Sequence, residues 1–326
     1  MILVTGGAGF VGAELVDALV DRGYYVRVLD WFIYEEYPFK RGKEEKIEIL
    51  KGDIRDLHTV RQAMNGIDSV IHLAAISNDP SADLDAKLTW QINYEGTINL
   101  LTTAKEMGVK RFINASSASV YGINESLNVN ESTETKPITC YAETKSQAET
   151  RVLSENSSQF TTVSLRPATL VGYSKRLRLD LVANIFTYQA MLNGKITILG
   201  GSQKRPLLAI EDMIDIYLEL LVAPADLIGG HSFNVSETNY EVIEIGQMVA
   251  SLVEKPVEIA IQESNDNRSY HLNSEKIKAV LNWEPSFGIR HSLLKLIRNF
   301  ENGNIPDPGN NKYRNIKMMQ DISLVW

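Results

Sequence analysis

The stretch that decides the fold is "VTGGAGFVGAEL", Val4 to Leu15. Glycines stand at positions 6, 7, 9 and 12, between an apolar run that reads as a strand and a segment that reads as a helix. A tight strand-to-helix turn needs positive φ, and a Cβ there would keep a pyrophosphate away from the backbone and the helix N-terminus. Gly6, Gly9 and Gly12 are therefore candidate phosphate-turn residues. The next apolar run ends at Asp30, the distance at which a dinucleotide fold carries the acid that holds the adenosine ribose hydroxyls. A 2′-phosphate would be repelled by that carboxylate, so NAD is expected rather than NADP.

Outward from the turn, short β-rich runs alternate with longer amphipathic ones: "MILVT", a helix over about Phe10–Arg22, "YVRVLD", "IEIL", "SVIHLAA", a helix over Asp85–Met107, and "RFINASS". Runs apolar on both faces and separated by helices predict a doubly wound α/β parallel sheet of Rossmann type. "GDIRD" sets Asp53 and Ile54 at the carboxyl edge of that sheet, where open α/β sheets bind ligands. "HLAAIS" places the small Ala74 and Ala75 at the end of the fourth strand, where a cofactor could lie close to the backbone. The segment "YEEYPFKRGKEEK", Tyr34 to Lys46, reads as a solvated excursion.

Beyond Gly172 the strands are short and far apart, which predicts a smaller C-terminal α+β lobe. The expected division is 1–172 for the dinucleotide domain, with later segments returning to it, and 173–326 mainly for a substrate lobe. The tail from Pro306 to Trp326 shows no readable period.

The 326 residues are 44% hydrophobic and 23% charged, the composition of a soluble globular protein, and their formal charge of −8 argues against nucleic acid as a partner. One cysteine, Cys140, excludes an intrachain disulfide, and five histidines without metal-ligand spacing predict no metal site. No stretch approaches a membrane span, and the expected location is the cytoplasm. An acidic protein that binds an anion must concentrate its cations locally. They cluster as Lys175, Arg176 and Arg178, as Lys204 and Arg205, and at Arg268.

Together "TGGAGFVG", Asp30, "GDIRD", "HLAA", "INYEGTINLL", "ASSASVYG", "YAETK", "LRPATLVG", "RLRLDLVAN" and "WEPSFGI" resemble, in order and over nearly the whole chain, the extended short-chain dehydrogenase/reductases. Within them the chain is similar to the NAD-dependent nucleotide-sugar epimerases and dehydratases. The resemblance implies that Tyr141 is the acid/base, Lys145 its partner and Ser117 the residue that holds the reacting oxygen. It implies a cofactor set of Gly6, Gly9, Phe10, Val11, Gly12, Asp30, Asp53, Ile54, Ala74, Ala75, Asn93, Tyr141 and Lys145. Asn93 would also anchor the framework, and Arg166 would lie beyond the nicotinamide. For a nucleotide-diphosphate sugar it implies Ser77, Ser117, Arg178, Asn184, Arg205 and Arg268.

On that basis a 4-epimerase is expected, with a 4-dehydrogenase or 4-ketoreductase as the rival and a non-catalytic NAD-binding regulator more remote. A homodimer is also implied, packed across Asp85–Met107 and Tyr141–Asn156, to which Ile92, Leu100 and Val152 could contribute, with core packing within one subunit as the competing reading of all three. In 4,6-dehydratases an Asp-Glu pair follows the active-site Ser/Thr, and here Ala118 and Ser119 stand in its place.

Overall fold

The structure, a computed structural model, describes residues 1–34, 37–39, 42–124, 126–263, 269 and 271–323. Strands β1 (Ile2–Thr5), β2 (Val26–Asp30), β3 (Ile47–Lys51), β4 (Ser69–His72), β5 (Arg111–Ala115) and β6 (Thr161–Pro167) pair in parallel in the order β6-β5-β4-β1-β2-β3. β7 (Thr169–Val171), β8 (Lys195–Leu199) and β9 (Lys204–Ala209) lie outside this sheet, whereas β10 (His231–Val235) returns to it as a seventh strand beside β6. β11 (Thr238–Glu241) joins β9 and β7, and β12 (Glu258–Gln262) joins β8. The result is a Rossmann-type α/β sheet with a smaller α+β lobe.

Burial follows strand position. Central β1 is buried along its whole length, while edge strand β3 leaves Ile49 39% exposed. The lobe has its own apolar cluster, including Val171, Phe186, Ile196, Leu207 and Val249.

Several expectations change. The single helix expected over 85–107 runs as Ala86–Trp90, a π-helical turn over Gln91–Gly96, and Thr97–Glu106. The wide turn carries Asn93, whose side chain accepts from Ile76 N (2.8 Å) and donates to Ile76 O (3.0 Å) and Thr144 Oγ1 (3.3 Å). The segment 34–46 is not simply solvated: Phe39 is buried, and Lys43 reaches Asp21 at 2.5 Å. Residues 35, 36, 40 and 41 of that segment lie outside the described residues.

The tail is ordered by tertiary contact, with a 3-10 turn at Asn311–Tyr313 and a helix over Asn315–Ser323. So short a helix has little stability of its own, which is why no local pattern announced it. Ile92, Leu100 and Val152 cannot form a dimer seam, since all three are buried in one subunit's core beside Leu3, Val70 and Phe112. No helix among the described residues is long and apolar enough to cross a membrane.

Candidate active site

A cleft of about 470 Å³ opens at the carboxyl edge of the sheet, over the turn between β1 and the Gly12–Asp21 helix. Glycine is obligatory at two points of this turn. Gly6 has φ +70° and an added Cβ would sit 2.6 Å from Ala74 N; at Gly12 it would sit 2.4 Å from Gly6 O. The turn thus lies directly against the end of β4, and Gly6, Gly9, Phe10, Val11, Gly12, Ala74 and Ala75 all line the cleft.

Asp30 closes β2 with its carboxylate pinned by Ala8 N (2.9 Å) and Phe32 N (2.7 Å). Burial raises its pKa against those hydrogen bonds and the Arg176 charge, so further donors such as ribose hydroxyls would stabilise its ionised form. Arg27 turns away, donating to Ala63 O, Asn65 O and Glu48, and offers nothing to a 2′-phosphate. Asp53 and Ile54 line the cleft; Asp53 is forked by Arg55, whose guanidinium lies 5.3 Å from the centre of the Trp31 ring.

Ser117, Tyr141 and Lys145 converge on the same space. Ser117 follows β5 and accepts from Ser119 N (3.1 Å) and Ser119 Oγ (2.9 Å), which caps the 3-10 turn Ala118–Tyr121. The Cys140–Ser154 helix begins at Thr139, whose Oγ1 accepts from Ala142 N and donates to Asp79 Oδ1 at 2.6 Å. That cap fixes Tyr141 one turn before Lys145 on the inward face.

Lys145 donates to Ala115 O at 2.8 Å, and burial lowers its ammonium pKa to about 8. The Tyr141 phenol is raised by burial; the Ser117 hydroxyl and the Arg178 charge pull it down, and Asp79 pushes it up. Lys145 is turned to the Ala115 carbonyl, and the cationic pull on Tyr141 comes from Arg178.

The remaining calls separate into cleft and framework. Ser77, Arg178 and Arg205 line the cleft, whereas Asn93 and Asn184 do not. Asn184 is fully buried, accepting from Gly172 N and donating to Gly172 O and Arg178 O, so its effect on the cleft passes through the backbone of Arg178. Arg166 also lies off the cleft, paired in the interior with Glu149 and donating to the Tyr121 hydroxyl. Arg268 lies outside the described residues.

His72 is held between Thr5 Oγ1 (2.7 Å) and Thr97 Oγ1 (2.8 Å), with its pKa lowered to about 3 by burial, as a neutral structural residue is. Cys140 is half-exposed and its thiol is raised by burial, the opposite of an activated nucleophile.

Sequence reasoning missed several cleft residues. Trp31, Ile33 and Tyr34 form a wall directly after Asp30; their position after the ribose-binding acid was the available signal. Ser116, beside Ser117, has a buried Oγ without a hydrogen-bond partner among the described residues. Met213, Tyr217, Asn315 and Met319 come from distant segments, and nothing local marks them.

The cradle fits NAD: a turn that only glycine can form, a pinned carboxylate at the end of β2, and beside Ser117 the buried Ser116 hydroxyl, which has no hydrogen-bond partner among the described residues. The chain is 28% identical over 306 residues to a UDP-glucose 4-epimerase of Lactobacillus helveticus, covering 87% of this chain and 92% of that one. It is 34% identical over 210 residues to a 3 beta-hydroxysteroid dehydrogenase/Delta 5-->4-isomerase of Mycobacterium tuberculosis, covering 61% of this chain and 54% of that one. The solved structure of MoeE5 in complex with UDP-glucose and NAD superposes with a TM-score of 0.81 at 25% identity, over 93% of this chain and 99% of that one. Residues 2–236, which hold the glycine turn, Asp30 and the Ser117–Tyr141–Lys145 trio, match the NAD dependent epimerase/dehydratase family, and the chain belongs to that NAD-dependent enzyme family.

Proposed function

We propose that the protein is a nucleotide-diphosphate-sugar 4-epimerase that oxidises C4 of the sugar to a ketone and reduces it again on the opposite face. The observation that carries this reading is the convergence of Ser117, Tyr141 and Lys145 on one cleft that Arg178 and Arg205 also line. A guanidinium fork suits a diphosphate, whereas a steroid offers no anion to either arginine.

Ser117 would hold the C4 hydroxyl and Tyr141 would take its proton. Bringing a phenol from about 10 to neutrality takes about 4 kcal/mol. Ser117 and Arg178 contribute to that, against burial. Lys145, charged below about pH 8, would hold the nicotinamide ribose. NAD, when bound, supplies the hydride acceptor and later the donor. Ala118 and Ser119 line the cleft where elimination would need a carboxylic acid and a carboxylate, which weighs against dehydration.

A nucleotide-sugar 4-dehydrogenase or 4-ketoreductase is the second reading. It is favoured by the likeness to a dehydrogenase over 210 residues, and it uses the same three residues. The test is to incubate the purified protein with UDP-, dTDP- and GDP-sugars without added cofactor. Epimerisation gives the C4 epimer with no net NADH; stoichiometric NADH and a keto product would replace this reading with the second. A product lighter than substrate by one water would show that carboxylates elsewhere, Asp79 first, serve an elimination.

The proposal includes a cytoplasmic homodimer. Leu84 (42% exposed) and Ile138 (57%), just ahead of the two helical segments first assigned to the seam, are apolar candidates for it. Sedimentation showing only monomer at micromolar concentration removes that part.

A further inference from the structure

Arg176 lines the cleft, and neither the proposed catalytic trio nor the substrate reading uses it. The segment 176–180 alternates: Leu177 and Leu179 pack into the cluster around Phe10 of the glycine turn, which leaves Arg176 and Arg178 facing the cleft. Arg178 is occupied by Asp180, through Nε to Oδ1 (2.9 Å) and Nη2 to Oδ2 (3.2 Å). Arg176 is 4% exposed, and its Nε has no hydrogen-bond partner among the described residues.

Two neutral groups hold it. Nη2 donates to Asn315 Oδ1 at 2.5 Å, and the guanidinium lies 3.6 Å from the centre of the Tyr34 ring. Burial lowers its pKa to about 10, against the more distant charges of Asp180 and Asp30. A buried cation held mainly by neutral partners is costly unless an anion completes it.

Asn315 belongs to the C-terminal tail, and that one residue ties three parts of the cleft together. Its side-chain amide donates to Ser77 Oγ (2.8 Å), its backbone N–H donates to Asp180 Oδ2 (3.0 Å), and its carbonyl oxygen accepts from Arg176. The tail is itself anchored: Leu179 N donates to Tyr313 O at 2.8 Å, Tyr313 and Ile305 are buried in the Phe10 cluster, and Met319 lines the cleft.

We infer that Arg176 binds the diphosphate of the dinucleotide from the side opposite the glycine turn, and that residues 305–319 form a strap that holds its guanidinium in place. The diphosphate assignment follows from position. The helix N-terminus at Gly12 already favours an anion over the turn, Phe10 and Val11 share the cleft with Arg176, and Asp30 and Tyr34 mark the adenosine end beside it. The orphan Nε supplies one donor of a charge-assisted contact, and the strap makes retention of the cofactor depend on the last residues of the chain.

The experiment measures the affinities of ADP and adenosine, and the rate of NAD exchange, on full-length protein stripped of nucleotide. Arg176→Gln is expected to weaken ADP about thirtyfold and adenosine less than threefold, and to speed NAD exchange about as much as it weakens ADP. Asn315→Ala, which leaves the arginine but frees it, is expected to weaken ADP about fivefold with adenosine unchanged. Equal losses for ADP and adenosine would make Arg176 a merely structural residue and overturn the assignment. So would unchanged ADP affinity together with weaker UDP binding to NAD-saturated protein, which would give Arg176 to the substrate diphosphate. Should Arg176→Gln lack a cooperative thermal transition, the ratio of ADP to adenosine losses in Asn315→Ala decides alone.

Discussion

One wall of the cleft, Gly6, Gly9, Phe10, Val11 and Gly12, comes from a single short stretch, whereas a second draws Tyr34, Ser77, Arg176, Arg178, Arg205, Asn315 and Met319 from scattered segments. In the first wall each residue's role is set by its neighbours in the chain: a strand that must end, a turn that must bend, a helix whose N–H groups must point outward. In the second, the lining residues come from distant segments: Arg176 is held by Asn315, 139 residues along the chain, while Arg178 is set by its nearer neighbours Asn184 and Asp180. A local wall tolerates little change at any one glycine, while a distributed wall can lose one contact and keep its others.

The sharpest way to break the comparison is at the helix that faces both walls. Tyr141→Phe should lower turnover by about 10²–10⁴ while NAD affinity stays within about twofold. Single-turnover kinetics with near-normal rates would remove Tyr141 from the chemistry.

The next largest effect belongs to the local wall. In Gly12→Ala the new Cβ would lie 2.4 Å from Gly6 O and 2.6 Å from Gly7 Cα, backbone atoms with no room to step aside. A loss of about 2–3 kcal/mol in unfolding free energy is expected, with NAD affinity falling as well. Thermal melts with and without NAD check both.

The distributed wall should give a somewhat smaller change. Asn184→Ala strips partners from Gly172 N, Gly172 O and Arg178 O in the interior, at a cost of about 2 kcal/mol. Because the glycine turn is untouched, NAD affinity should hold while affinity for the sugar nucleotide drops. Urea unfolding and calorimetric titration separate the two, and a loss of NAD affinity equal to that for the sugar nucleotide would erase the distinction between the walls.

The smallest effect is a pH dependence at Lys145, whose folded-state pKa of about 8 lies below its ordinary 10.5. Raising pH through 8 removes its charge, so turnover at pH 9 should be about tenfold below its value at pH 7. The stability effect has the opposite sign. Between about 8 and 10.5 the unfolded chain still carries a proton that the folded chain has released, so this group's contribution to stability rises with pH there. Urea midpoints at pH 8 and pH 10 should show that rise in the native sequence and lose it in Lys145→Met.

The contrast between the walls also marks what could be read beforehand. Gly6, Gly12, Asp30, Ala74, Ser117, Tyr141 and Lys145 all line the cleft, and each lies at or just past the end of a strand or within the first two turns of a helix. Asn93 braces the backbone as the resemblance implied, but it does not line the cleft, and Asn184, expected to touch the substrate, also braces the backbone instead. Sequence could say that Asn184 was near the site, but it could not say which way it faces. Tyr34 was read as solvated because its neighbours are charged, although a guanidinium from far along the chain stacks on it.

Periodicity, glycine placement and the acid after the second strand determined the parallel sheet, the dinucleotide turn and the helix that carries Tyr141 and Lys145. All of these depend on contacts within a few tens of residues, where side-chain period and turn stereochemistry leave few alternatives. Tertiary structure alone decided that the tail folds back as a strap, that Arg176 is buried while Arg178 pairs with Asp180, and that the apolar residues assigned to a dimer seam belong to the core. Those outcomes rest on which distant surfaces meet, and a nine-residue helix such as Asn315–Ser323 has too little intrinsic stability to announce itself before it has something to pack against.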